Sequence, residues 1–164
     1  MVPGEFTGYF TAAAAAAGVL IGLLFVAASL RLESVFGEKA SAGHQVQAGS
    51  AFTSLVNSFF VSLVALIPHA HLGEVAVIMA LVSLWATARL HRQAGGQELH
   101  LVLLLLSVAT YLYQAVVGVI LIINPNDSNQ VLTVAYLLIA SFAVAVTRAW
   151  ALMQGRTTRH VSAK

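Results

Sequence analysis

Of 164 residues, 59% are hydrophobic and only 9% charged, against about 25% charged in soluble domains. Together with a mean hydropathy of +0.87, that excludes an ordinary soluble globular domain and predicts an integral membrane protein. The formal charge of +2 comes from eight scattered Lys and Arg residues that form no basic stripe, so no nucleic-acid surface is expected, and the lack of cysteine removes disulfides, thiolate metal sites and covalently attached haem.

The first apolar run covers about residues 9–30, enough to cross a hydrocarbon core of roughly 30 Å at 1.5 Å per residue. A cleaved signal peptide fits poorly: Glu5 and no basic residue precedes the run, and the run is longer than the usual apolar region of such peptides. Ala14, Gly18 and Gly22 recur every fourth residue, a groove in which another helix backbone can come close. Residues 31–49 follow as a polar connection, in which Leu32, Val35 and Phe36 have the spacing of an interfacial helix.

The second span, residues 51–68, carries the most distinctive pattern. Ser50, Ser54, Ser58 and Ser62 fall on one helical stripe, with Thr53 and Asn57 beside it. An amide in hydrocarbon needs a partner, so this face is expected to meet protein or water and not lipid. Pro68 ends the span, and the turn His69–Glu74 leads into a third span over 73–90, giving an antiparallel hairpin. Gly95 and Gly96 mark the next turn, before a fourth span over 99–123. The fourth span has its own polar face of Ser107, Tyr111, Gln114 and Gly118. Turn formers from Asn124 onward precede a fifth span over 131–153 and a polar tail over 154–164. The chain therefore reads as all-α, a single membrane domain of five transmembrane helices.

Charge tests that count independently. With five spans, Arg31, Lys39, Arg89, Arg92, Arg148, Arg156, Arg159 and Lys164 all fall at one face, while the opposite face has no lysine or arginine. Because cytoplasmic flanks collect Lys and Arg, the N-terminus is expected outside and the C-terminus in the cytoplasm.

Few constellations suit chemistry. Asn57 and Gln114 either pair with each other or face a shared wet cavity. His69, His71 and Glu74 offer two imidazoles and a carboxylate in six residues, a set that suits zinc or copper, but two histidines hold a metal weakly, and a plain solvated turn is the favoured reading, ahead of proton sensing by the imidazoles. Arg148, near the end of the last span, either snorkels to the cytoplasmic surface beside Trp150 or pairs with Glu33. No Asp, Glu, Lys or His occupies the middle of a span, and no buried base accompanies the serines, so neither an enzyme nor a bound cofactor is expected.

Three stretches carry a resemblance: GLLFVAASLRLE at Gly22 to Glu33, SAFTSLVNSFFVSLVALIP with the HLG that follows, and TRAWALM near the end. Together they resemble an uncharacterised family of small bacterial membrane proteins, mostly actinobacterial. The resemblance implies a multi-pass protein of the bacterial plasma membrane and supplies no activity. Where this chain has LRLE, the family pattern places a proline before the glutamate.

Two functions are consistent with these features. The first is a homo-oligomeric channel for ions or small solutes, lined by Ser54, Asn57, Ser58 and Ser62 with Gln114 nearby. The alternative is a non-transporting accessory or sensor subunit, set in the lipid bilayer, that docks partner helices. The expected orientation is directly testable in this cysteine-free chain: in intact cells a membrane-impermeant maleimide should label His69→Cys, and should label Thr157→Cys only after permeabilisation.

Overall fold

A computed structural model describes residues 2–29, 42–94 and 101–154. Among these, all regular structure is helical: a short 3-10 turn at Gly4–Phe6, then α1 (Thr7–Ser29), α2 (Ala42–Ala65), α3 (Leu72–Ala94), α4 (Leu101–Ile123) and α5 (Ser128–Gln154). All five α-helices are long and apolar enough to cross a membrane.

The helices begin and end where local chemistry requires, which is not always where hydropathy changes. α2 starts at Ala42, inside the stretch read from sequence as a connection over 31–49. Residues 42–49 are polar but hold no proline, and their alanines and glutamines favour helix, so the helix continues beyond its apolar portion. The interfacial segment expected around Leu32, Val35 and Phe36 lies outside the described residues. At the other end α2 stops three residues before Pro68, through i→i+3 bonds from Leu66 N to Leu63 O at 3.1 Å and from Ile67 N to Val64 O at 3.0 Å. The residue preceding a proline is pushed out of helical geometry, which accounts for the early stop. α5 begins at Ser128 and not near 131, because Asp127 caps it: one carboxylate oxygen accepts from Asn129 N at 3.0 Å and from Gln130 N at 3.4 Å.

Packing forms a ring of four. α2 packs on α3, α3 on α4, α4 on α5 and α5 back on α2, while α1 lies outside the ring against α2 and α5. α1 accordingly has the smallest buried share of the five spans and α2 the largest. One cross-link fixes α1 in place, the Tyr9 hydroxyl donating to Ala135 O at 2.7 Å.

The interior divides into two halves. At the end where α1, α3 and α5 begin, it is apolar: Phe10, Val61, Ala65, Leu72, Val117, Leu121, Val131, Val134 and Leu138 form one cluster. At the opposite end the buried side chains include the polar Ser50, Ser54, Thr87, Ser107, Tyr111 and Arg148 among small apolar residues such as Ala48, Ala51 and Ala145. In lipid, apolar burial gives no hydrophobic gain between helices, so close packing and interhelical hydrogen bonds must hold the ring together.

A close backbone approach joins α3 to α4. A Cβ on Gly73 would stand 2.7 Å from Gly118 O and 2.8 Å from Ile122 N, and one on Gly118 would stand 2.8 Å from Val77 Cγ2 and 2.9 Å from Gly73 O. Backbone cannot yield as a flexible side chain can, so both positions require glycine. Gly22 is the opposite case, with nothing within 4 Å of its would-be Cβ. Gly118→Leu should therefore lower unfolding stability in detergent by about 1–3 kcal/mol or more, the range for overpacking, whereas Gly22→Leu should leave thermal unfolding nearly unchanged.

Candidate functional site

The serines on α2 and the polar face of α4 meet on the axis of the ring. α2 and α4 sit diagonally and are not among the helix pairs whose backbones pack together, so only their longer side chains span the gap. Two pairs do so. The hydroxyls of Ser54 and Tyr111 lie 2.9 Å apart. Three residues further along each helix, Asn57 Nδ2 donates to Gln114 Oε1 at 2.9 Å, and Gln114 Nε2 donates back to Asn57 Oδ1 at 3.0 Å.

The reciprocal amide pair satisfies both carbonyls, and Gln114 uses its remaining N–H to donate to Ala76 O of α3 at 3.0 Å. Three helices thus converge on one point, where Asn57 and Gln114 are both 0% exposed. Of the two alternatives open for these amides, the geometry is the direct pair. The remaining stripe serines are also buried. Ser54 and Ser58 donate to the carbonyls four residues earlier, Ser50 O at 3.1 Å and Ser54 O at 3.0 Å, while the Ser62 hydroxyl is enclosed without a hydrogen-bond partner.

Arg148 corrects the snorkelling expectation. It is 5% exposed, and its Nη2 donates inward to the Ser107 hydroxyl at 2.9 Å. A guanidinium carries five donors and costs too much to bury unless it is hydrogen-bonded, so it takes the polar end of the axis in place of the apolar helix exterior. Glu33, its expected ionic partner, lies outside the described residues. Around Arg148 is a cleft of about 20 Å³ bordered by Gln47, Ser50, Thr87 and His91. The side-chain oxygens of Gln47 and Thr87 are buried there without a hydrogen-bond partner. That volume exceeds the roughly 10–15 Å³ one water needs, and the site offers the two to four polar contacts such a water makes.

The expected groove on α1 is used only in part. Ala14 is buried and Gly18 packs on the Phe59 ring, its would-be Cβ 3.5 Å from Cε2, but Gly22 points away from the ring. At the His69 turn, His71 Nδ1 lies 3.3 Å from Glu74 Oε1, and both side chains are mostly exposed. His69 occupies the left-handed backbone region at φ 62°. Among the described residues no three His, Cys, Asp or Glu side chains come together as a metal would require, so His69, His71 and Glu74 do not converge on one point.

Sequence reasoning missed three features. Thr87 and Gln47 lie in stretches of mixed polarity near helix ends, and nothing in their spacing marks them as buried. The Gly73–Gly118 crossing was half visible, since Gly118 stands on the polar face of α4, but Gly73 reads as part of a turn. The Tyr9–Ala135 bond involves a backbone acceptor, which a sequence does not single out. Comparison with protein-family models, with curated proteins and with solved structures finds no match to this chain.

The amide pair yields a double-mutant test. Asn57→Leu or Gln114→Leu alone leaves buried polar groups of the other amide without a partner and should cost about 1–3 kcal/mol of unfolding stability. The double variant removes both and should cost less than the sum of the two. A coupling within the range measured in membrane proteins, on average about 0.6 kcal/mol, is the expected result.

Proposed function

We propose that this chain is a non-transporting membrane subunit, accessory or sensor, whose polar axis holds its own helices together and whose outer helix docks a partner. In this reading it sits in a bacterial plasma membrane with its N-terminus outside and its C-terminus in the cytoplasm, as the segregation of basic residues indicates. The observation that carries the reading is the closed amide pair. Asn57 and Gln114 consume each other's hydrogen-bonding groups on the ring axis, where a water-filled route would leave them solvated.

α1 supplies the surface for a partner. Gly8, Ala12, Ala15, Ala16 and Gly22 are exposed along it, and a Cβ at Gly8 or Gly22 would meet nothing within 4 Å. Small residues facing lipid let a second transmembrane helix approach closely, which is how helices associate where apolar burial gives no gain. A homo-oligomer assembled through α1 is one form this takes.

The homo-oligomeric channel expected from the sequence needs its lining residues at a subunit surface, whereas Ser54, Asn57, Ser58, Ser62 and Gln114 are buried within one chain; a channel would instead run along the axis of each ring, where these polar side chains lie. Reconstitution separates the two. Wild-type protein in liposomes should pass potassium and chloride no faster than protein-free liposomes, and Asn57→Leu should lower stability without producing flux. Flux above the protein-free level that changes in Asn57→Leu would replace the accessory reading with an axial pore.

A further inference from the structure

A cavity lies at the apolar end of the ring, under the turn between α2 and α3. It measures about 450 Å³ and is bounded by Val2, the His69–Glu74 turn, Leu121, Ile122, Pro125 and Val131. That volume falls within the roughly 300–1,000 Å³ of small-molecule sites, and its lining is divided about evenly between apolar and polar surface. Leu72, Leu121 and Val131 are core residues that present an apolar floor. Glu74 supplies the cavity's carboxylate, and His69 and His71 supply imidazoles.

The charge at this end selects the sign of a ligand. Its described residues include Glu5, Glu74 and Asp127 and no lysine or arginine, and Asp127 is committed to the α5 cap. Glu74 is 56% exposed and bonded on one side to His71, which leaves it accessible to a ligand entering from the cavity mouth. The described side chains give no convergent ligand set for a metal ion. An organic cation satisfies both features, its charge against the carboxylate and its body on the apolar floor.

We propose that this cavity binds a primary ammonium compound with an apolar body, the ammonium on Glu74 and the body against Leu121, Ile122 and Val131. The proposal deepens the sensor reading and rests on it for its role. Gly73, also part of the lining, is the residue at which α3 crosses α4, so an occupant would press on the helix pair that carries Ala76 and Gln114. Two sources share this chemistry, a free amine and the ammonium head of an aminophospholipid.

The test uses full-length protein in nanodiscs of phosphatidylglycerol alone, which contain no amine, with benzylammonium as the probe in calorimetry. Saturable binding is expected, weakened about tenfold or more in Glu74→Gln, as loss of one charge-assisted hydrogen bond implies. Benzyl alcohol, the neutral analogue, should bind at least about tenfold more weakly for the same reason. Ala70→Phe should abolish binding by filling the cavity while unfolding at the wild-type temperature. Displacement of the probe in nanodiscs containing phosphatidylethanolamine supports the lipid source, and undiminished binding there supports the free amine. Equal binding of benzyl alcohol, an unaffected Glu74→Gln variant, or no saturable binding overturns the proposal. Such a failure leaves the accessory reading intact, since that reading is decided by liposome flux.

Discussion

An amide group in hydrocarbon must find a partner or carry its desolvation cost, and the arrangement of this protein follows from how Asn57 and Gln114 meet that demand. Each amide is the other's partner across the ring, and the spare donor of Gln114 binds the α3 backbone. The requirement fixes several things together. It sets the rotation of α2 and α4 about their own axes and places Tyr111 opposite Ser54, three residues along on each helix. It also turns the rest of the serine stripe inward, where all four serines are buried.

The two halves of the interior meet different needs. At the polar end, hydrogen bonds gather residues that lipid would not tolerate, including a buried guanidinium on a serine hydroxyl. At the apolar end, contact between backbones does the corresponding work, since two glycines let α3 and α4 touch. For helices set in a bilayer, neither half would rely on the hydrophobic effect that stabilises soluble cores, because lipid tails are as apolar as the side chains that face them.

Much of this fold was legible in the sequence, because the length of each apolar run is set by membrane thickness. The pairing candidates were legible too: two lone amides deep in spans have few ways to be satisfied, and Tyr111 and Gln114 lie on one helical face with the stripe opposite. What stayed hidden has physical reasons. The start of α2 at Ala42 was masked because polarity marks the edge of the hydrocarbon and not the end of a helix. Arg148 was read as reaching outward because an arginine near a helix end usually does so, and its inward partner is a serine whose position depends on how two distant helices pack. Gly73 looked like turn punctuation, since a glycine needed for close approach and one needed for a bend are the same letter.

Because α2 and α4 face each other across the diagonal, with side chains and not backbones bridging the gap, the amide pair acts as a strut. Its span is the sum of an asparagine and a glutamine side chain, and that sum sets the width of the ring at its middle. Exchanging the two residues would keep the total reach and move the junction about one methylene toward α4. Two glutamines would push the helices apart, and two asparagines would leave a gap that the bundle must close or water must fill. The girth of the protein is thus written in the combined length of two side chains.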